Sequence, residues 1–381
     1  MNNKNIDFNN PVVMGNEINY VIESINSVHI SGDGPFTKKV HSLLEKEIGV
    51  SKVLLTTSCT HALEMMAILL RLKPGDEVIF PDFTFVSTVN AFVLHGAKPV
   101  FVDVRPDTLN INEKKLESVI SSKTRAVVPV HYAGVACEMD FISEITNNSK
   151  KKIAIFEDNA HGLFGKYKGK YLGTFGDLAA QSFHETKNFS CGEGGALLIN
   201  NNLFIERAEI IREKGTNRSL FFRGQVDKYS WVDIGSSYLP SDILAAYLYG
   251  QLEQREKIQN HRMNIWNYYY DGLKDWSYKK GFQLPKVPFY CEQAYHMFYL
   301  LLPNLKIRQK FIQYLRENGI YCVFHYLPLH KSKMGRNYVD NPKNFPITDR
   351  VSNQIVRLPF HNALTKVDID YVLENIYRFN Y

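Results

Sequence analysis

Three short segments of this 381-residue chain carry side chains that could do chemistry together. In the first, Thr56-Thr57-Ser58-Cys59-Thr60-His61, hydroxyl side chains meet the start of a helical pattern. A helix N-terminus presents free backbone N–H groups and the positive end of its dipole, so this turn suits a phosphate. The alternative is that Ser58 or Thr60 is a plain helix cap, the commoner use of such residues. In the second, Phe156-Glu157-Asp158-Asn159-Ala160-His161, an acidic pair ends an apolar run. A carboxylate at the carboxyl end of a strand borders the ligand crevice of an open α/β sheet, or else caps the next helix. The third is Ser182-Phe183-His184-Glu185-Thr186-Lys187-Asn188, followed by Cys191-Gly192-Glu193-Gly194-Gly195. A lysine just after a buried strand and beside a glycine-rich turn is poorly explained as a solvated residue. Desolvation lowers an amine's pKa and makes it a nucleophile able to form a Schiff base. An anion cradle, a carboxylate and a buried amine are the three groups that pyridoxal 5'-phosphate requires.

The elements that must hold these segments follow from hydrophobic period. Residues 36–48 read as an amphipathic helix, 53–55 as a buried strand, and 61–72 as a helix. Short apolar strands are predicted at 77–80, 99–102, 126–130 and 153–156, separated by helix-length segments, then at 178–183 and 195–199, with a helix over 203–213. Such alternation predicts an α/β domain with a largely parallel sheet. A long helical stretch over 243–273 leads into a smaller α+β part: strand 294–302, helix 307–318, strand 321–323 and helix 368–377. The expected division is a large unit over 1–245 and a smaller one over 246–381.

Composition excludes several classes. The net charge is +6 and 22% of residues are charged, without a Lys/Arg-rich run of five, which argues against nucleic-acid or polybasic membrane binding. The chain is 45% hydrophobic and 13% aromatic, as packed proteins are. Met1-Asn2-Asn3-Lys4-Asn5 leads into polar residues, and no run of 18 apolar residues occurs, so no membrane segment is expected. The five cysteines are widely spaced without a C-x-x-C pair, which predicts a reduced, cytoplasmic protein. The 12 histidines lack H-x-x-x-H spacing, so no metal is expected.

The order of Thr57-Ser58-Cys59-Thr60, Glu157-Asp158-Asn159-Ala160-His161 and Ser182-Phe183-His184-Glu185-Thr186-Lys187-Asn188 resembles the DegT/DnrJ/EryC1/StrS family of nucleotide-sugar aminotransferases, from about residue 7 to the C-terminus. Longer matching tracts run over residues 129–140, 208–219 and 223–229. The resemblance implies a fold-type-I architecture, a homodimer with active sites between subunits, and L-glutamate and a sugar nucleotide as substrates. Within the family it implies amination of the C4 ketone of a dTDP-linked 4-keto-6-deoxyhexose. GDP- or UDP-linked sugars, C3 amination, and a non-catalytic regulator are the alternatives; Lys187 and Asp158 together disfavour the regulator. By the same resemblance Lys187 would hold the cofactor and shuttle a proton, and Asp158 would pair with the pyridine nitrogen. Ser58, the Cys59 N–H, Thr60 and Ser182 would hold the phosphate. Phe85 would stack on the ring, and His161 would lie against its other face or its phenolic oxygen. Cys59 stands where glycine is usual. Ser237 stands where an asparagine commonly reaches the partner's phosphate.

Two further groups are substrate candidates. The segment Lys214-Gly215-Thr216-Asn217-Arg218 through Phe222-Arg223 offers Arg218 and Arg223 to a diphosphate, or is a solvated loop. His325 or His330 could meet a substrate, or be a packed, hydrogen-bonded histidine. Ser31-Gly32-Asp33-Gly34 lacks dinucleotide-binding spacing, and the tyrosines at 268–270 are expected to pack a helix.

Overall fold

The computed structural model describes residues 4–339 and 341–381; Met1, Asn2 and Asn3 of the N-terminal segment lie outside them. The central sheet contains strands β1 (Lys52–Thr56), β2 (Glu77–Pro81), β3 (Lys98–Val102), β4 (Thr124–Val127), β5 (Ala154–Asp158), β8 (Leu178–Ser182) and β9 (Gly195–Ile199), in the order β1-β9-β8-β5-β4-β2-β3. Only β9 runs antiparallel to its neighbours. A small second sheet joins β6 (Lys166–Tyr167), β7 (Lys170–Tyr171) and β10 (Cys291–Glu292), and β11 (Tyr299–Leu301) pairs with β12 (Ile355–Arg357).

Alternation along the strands decides which face each side chain covers. Leu54, Phe80, Phe156, Ala180 and Leu197 enter one core, with Leu63 and Met66 of α3 (Cys59–Leu69) and Phe92 of α4 (Val86–Val93). Val53, Leu55, Ala179 and Leu198 enter a second core on the opposite face, and Ile79, Val127 and Ile155 a third. A sheet covered on both faces needs strands apolar throughout, which is why these segments read as unbroken apolar runs.

Helices α1 (Glu17–Asn26) and α2 (Pro35–Ile48) lie ahead of the sheet. The Asp242 carboxylate accepts the first amide N–H groups of α2, from Phe36 at 3.1 Å and Thr37 at 2.7 Å. A Cβ on Gly34 would meet that carboxylate at 2.4 Å, so the glycine of Ser31-Gly32-Asp33-Gly34 serves close packing. Helices α5 (Met139–Asn147), α6 (Ile205–Arg212) and α7 (Arg218–Phe222) complete the first part.

The long stretch after 242 is two helices, α8 (Asp242–Glu253) and α9 (Arg255–Lys280), broken at Gln254. Ala245, Leu248 and Leu252 of α8 pack with Phe36, Val40 and Leu44 of α2. A separate core gathers Ile265, Tyr269 and Leu273 of α9 with Phe298, Leu300, Val356, Phe311 and Leu315 of α10 (Leu305–Glu317), and Val372 and Ile376 of α12 (Lys366–Arg378). Helix α11 (Pro346–Gln354) precedes β12.

Two expected strands are shorter than their patterns suggest. Of 294–302 only Tyr299–Leu301 is strand, because the carbonyls of Tyr295 and His296 accept bonds from the buried Arg262 guanidinium, at 2.9 and 2.7 Å. Tyr295 also has a left-handed φ of 50°, which turns the chain out of a ladder. Of 321–323 only a single bridge forms, Val323 to Arg357. Among the described residues no helix is long and apolar enough to cross a membrane.

Candidate active site

Strands β1, β5 and β8 end on one edge of the sheet, at Thr56, Asp158 and Ser182. Gly195, the first residue of β9, pairs with both Thr56 and Ser182. A Cβ there would lie 2.3 Å from the Ser58 carbonyl carbon and 2.4 Å from the Cys59 nitrogen, so only glycine lets β9 begin beneath the turn. This brings Ser58, Cys59 and Thr60 beside Ser182.

Ser58 is the N-cap of α3, its Oγ accepting the His61 N–H at 3.1 Å. The cap leaves the hydroxyl hydrogen free to donate. Thr60 Oγ1 donates to Ser87 Oγ at 3.0 Å. Cys59 opens the helix without a left-handed φ, so the backbone accepts a side chain where glycine is usual. Burial pushes its thiol well above the usual range and keeps it neutral.

Asp158 is buried at the end of β5. Thr88 Oγ1 donates to its Oδ2 at 2.7 Å, and the Ala160 N–H donates to its Oδ1 at 3.1 Å. Burial nevertheless raises its pKa, with Thr88, the Ala160 N–H and Lys187 acting the other way. A desolvated carboxylate held by two donors is a receptor for a cation. Beside it, Asn159 is structural: its amide bridges the Leu172 carbonyl and Gln181 Oε1.

Lys187 lies on the turn after β8, its N–H bonded to the His184 carbonyl. Burial pulls its ammonium down to about 8, while Cys59 and Asp158 act to raise it. Three histidines stand nearby. His161 is buried, its Nδ1 without a partner, and it stacks on His296 with ring centroids 4.2 Å apart and planes 15° apart. His296 Nδ1 donates to Asn188 Oδ1 at 3.0 Å, which ties the stack to the residue after Lys187. His325 Nδ1 and the Tyr132 hydroxyl are hydrogen-bonded at 2.9 Å. Burial, with the charges of Lys187 and Arg357, holds all three rings well below the ordinary histidine pKa.

The structure thus brings Ser58, Cys59, Thr60, Asp158, His161, Ser182, Lys187 and His325 to one edge of the sheet. Phe85 stands at the start of α4, 56% exposed, with its ring 6.2 Å from that of Tyr326. His330 does not join the group; its Nδ1 bonds the buried Asp82 carboxylate at 2.6 Å. Ser237 is exposed in the loop before α8, bridged through its backbone to Glu213. Arg218 is half-exposed, 3.4 Å from Glu213 and over the Phe222 ring at 5.2 Å. The fork of Arg223 is already engaged, its Nη1 and Nη2 donating to Glu209 at 3.0 and 2.8 Å. That pairing departs from the expectation of a free diphosphate clamp at Arg223, because both forked nitrogens are committed to a carboxylate.

Thr88, Tyr132, His296, Tyr326 and Arg357 belong to the same neighbourhood and were not singled out from sequence. Thr88 follows Phe85 by three residues, so one helical turn was its only signal. His296 lay inside a segment expected to be strand.

Pyridoxal 5'-phosphate fits this donor set. Asp158 can receive the ring's N–H⁺, Lys187 is a desolvated amine, the first turn of α3 with Ser58, Thr60 and Ser182 can bond a phosphate, and the orphaned His161 Nδ1 has a hydrogen bond to offer that no group of the chain takes up.

Known proteins agree. An uncharacterised protein of Methanocaldococcus jannaschii is 34% identical over 366 residues, covering 94% of this chain and 93% of its own. The GDP-perosamine synthase of Escherichia coli O157:H7 is 29% identical over 376 residues, covering 97% of each. The Streptococcus pneumoniae protein Spr1654, described as a sugar aminotransferase, has been solved without cofactor and in PMP and PLP forms. Its PLP form superposes with a TM-score of 0.90 at 27% identity, over 98% of both chains. Residues 12–377 match the DegT/DnrJ/EryC1/StrS aminotransferase family, and the chain belongs to that family of pyridoxal-phosphate-dependent transaminases.

Proposed function

We propose that this chain transfers the amino group of L-glutamate to the C4 ketone of a dTDP-linked 4-keto-6-deoxyhexose, giving 2-oxoglutarate and a dTDP-4-amino-4,6-dideoxyhexose of galactose configuration. Amination of a nucleotide-linked keto sugar is the coarser reading: the family match supports the sugar substrate, and the convergence of Lys187, Asp158 and the first turn of α3 on one sheet edge supports the amino-transfer chemistry. The dTDP base and the galactose configuration rest on the matching sequence tracts alone. A GDP-linked sugar is the second reading, favoured by the similarity to GDP-perosamine synthase. Purified protein incubated with glutamate and dTDP-, GDP- and UDP-linked 4-keto sugars tests both: release of 2-oxoglutarate only with the dTDP sugar supports the first, and only with the GDP sugar replaces it by the second.

Pyridoxal phosphate, when bound, supplies the electron sink for removal of the donor's α-proton and carries the amino group between two half-reactions. In our reading the chain's residues prepare that chemistry. With a pKa of about 8, Lys187 is neutral in about a quarter of molecules at pH 7.5, against about one in a thousand for an ordinary lysine. Its Nζ can therefore act as nucleophile and then as carrier of the proton on the donor's α-carbon. Burial favours the neutral form of Asp158, Thr88 and the Ala160 N–H favour the charged one, and a protonated pyridine nitrogen at this carboxylate would add the opposite charge that holds it ionised. Neutral His161 offers a flat ring face and an unbonded Nδ1.

The proposal includes a homodimer in the cytoplasm, with large and small units divided at 245 and 246. Apolar side chains that a monomer leaves in water support the dimer: Ile18, Ile22 and Ile25 on α1, and Phe222, Trp231 and Ile234 in the segment before α8. That segment includes Arg218 and borders Ser237, so a partner seated on it would cover both residues. A role in making surface polysaccharide such as O-antigen is the matching cellular assignment, supported by similarity to a spore coat polysaccharide biosynthesis protein of Bacillus subtilis.

A further inference from the structure

Lys187 and His161 follow different strands, β8 and β5, yet one side chain, His296, is bonded to the segment of the first and stacked on the second. Its imidazole lies on the His161 ring with centroids 4.2 Å apart, and its Nδ1 meets Asn188 Oδ1 at 3.0 Å. The rest of the Asn188 amide sets the direction of that bond. Asn188 Nδ2 donates to the Ala294 carbonyl at 2.6 Å and to Gln259 Oε1 at 3.1 Å, so Oδ1 is the acceptor and His296 Nδ1 carries the hydrogen. Burial, then the neighbouring His161 ring and the charges of Lys187, Arg262 and Arg357, hold His296 well below the ordinary histidine pKa. It is therefore a neutral ring with its one donor at Nδ1.

Arg262 of α9 closes these contacts into a hydrogen-bond ring. Its Nη2 donates to the His296 carbonyl at 2.7 Å and its Nη1 to Asn362 Oδ1 at 2.9 Å, and Asn362 Nδ2 returns to the Asn188 carbonyl at 3.3 Å. Asn188 is thus held at its side chain from 294 and 296 and at its carbonyl from 362, directly after Lys187. Arg262, Asn188 and His296 are all buried, and a satisfied polar network in such surroundings is rigid. Filling the space beside His161 needs only a flat ring, which phenylalanine supplies without a polar group to satisfy. The histidine adds one donor, and that donor is used on the residue after Lys187.

We propose that His296 is a positioning residue of the amino-transfer site: through Asn188 it fixes the turn from which Lys187 Nζ reaches the donor's α-carbon, and through its stack it fixes the plane of His161. The inference rests on the amino-transfer reading above. A displacement of about 1 Å between reacting groups can cost a reaction about 100-fold, so the hydrogen bond to Asn188 governs the rate of proton transfer. The flat face under His161 governs how firmly the cofactor is held. The two contacts of one side chain therefore serve separable properties.

The test compares wild type with His296→Phe, which keeps the ring and loses the donor, and His296→Asn, which keeps a donor at the place of Nδ1 and loses the ring. Holoenzyme is assayed in the glutamate half-reaction by cofactor absorbance, and cofactor-free protein is titrated with pyridoxal 5'-phosphate. His296→Phe is expected to lower the limiting rate about 10- to 100-fold, the range for a buried acceptor left unpaired. Its apparent KM for glutamate and its Kd for the cofactor should stay within about threefold of wild type. His296→Asn is expected to keep the rate within about threefold and to weaken the cofactor about 5- to 10-fold, the loss for an aromatic pair. Any result other than this crossed pattern overturns the proposal; in particular, a full rate in His296→Phe makes the ring a filler. If His296→Phe does not fold, His296→Ala stands in for it. That variant and His296→Asn both lack the ring and differ in the donor, so a rate at least about tenfold lower in His296→Ala supports the proposal and equal rates overturn it. A wild type that binds the cofactor but is not converted by glutamate refutes the amino-transfer reading instead, and the cofactor titrations still read the stack.

Discussion

Replacing Lys187 by methionine should stabilise the cofactor-free protein at neutral pH while abolishing amino transfer. The side chain is kept at similar volume, no hydrogen bond of the lysine Nζ is lost, and the buried ammonium disappears. Its pKa of about 8 in the folded chain lies below the ordinary 10.5. Between those values the unfolded chain binds more protons, so stability contributed by this site rises with pH across that window and is lowest below about pH 8. At 1.36 kcal/mol per pKa unit, the folded state at pH 7 carries about 3.3 kcal/mol of penalty relative to an uncharged side chain, falling to about 1.4 kcal/mol at pH 9.5. Unfolding entropy of about 2.1 cal/mol/K per residue converts the first figure to a rise in Tm of about 4 °C for a chain of this length unfolding as one unit. Calorimetric melts of cofactor-free wild type and Lys187→Met at pH 7 and pH 9.5 measure it. A Tm difference that is the same at both pH values, or a variant less stable than wild type at pH 7, would refute the claim that Lys187 sits desolvated and poised. The same argument explains why the site keeps the residue: the desolvation that costs stability is what makes the amine reactive.

Asp158→Asn should slow the glutamate half-reaction by roughly 10²–10⁴, from the 3–5 kcal/mol that a broken buried charge pair costs; a change below about threefold in single-turnover absorbance would make Asp158 a mere cap. Thr88→Val removes a 2.7 Å donor to that carboxylate, and the loss of about 1.5–3 kcal/mol predicts a 10- to 150-fold slower half-reaction, with no change expected if Thr88 only packs α4. Arg218→Ala should raise the apparent KM for the sugar nucleotide and spare the glutamate half-reaction, whereas Arg223→Ala, its fork held by Glu209, should move that KM less; the reverse order would return the diphosphate to Arg223. Combined Ile22→Glu and Trp231→Glu should halve the mass measured by light scattering, and an unchanged mass would place the dimer contact elsewhere.

Much of the chemistry was legible because it is local. A helix-start turn rich in hydroxyls, a carboxylate ending an apolar run and a lysine before a glycine-rich turn are each contiguous segments, and each forms where its own pattern puts it. The glycine run was read as marking a turn, and Gly192 does take a left-handed φ of 84° there; Gly195 in addition must admit the Ser58–Cys59 backbone. Cys59 needed no special accommodation, because a helix-opening residue tolerates a Cβ. Where local reading failed, a distant side chain had intervened. Arg262 takes the Tyr295 and His296 carbonyls out of the expected strand, and that detour is what stacks His296 on His161.

The sequence by itself determined the layered α/β architecture, because both-face burial demands unbroken apolar strands, and it determined the three segments that the proposed reading takes as anion cradle, carboxylate and amine. Only the tertiary structure decided their company. Thr88 on Asp158 Oδ2, Asn188 on His296 and Glu209 on Arg223 join residues from 14 to 108 positions apart, and the Arg357 guanidinium covers the Phe8 ring across nearly the whole chain. No period or spacing encodes such pairings, since hydrogen-bond partners are chosen by where strand ends and loops meet in space, and burial, which sets the charge each group carries, exists only once they have met.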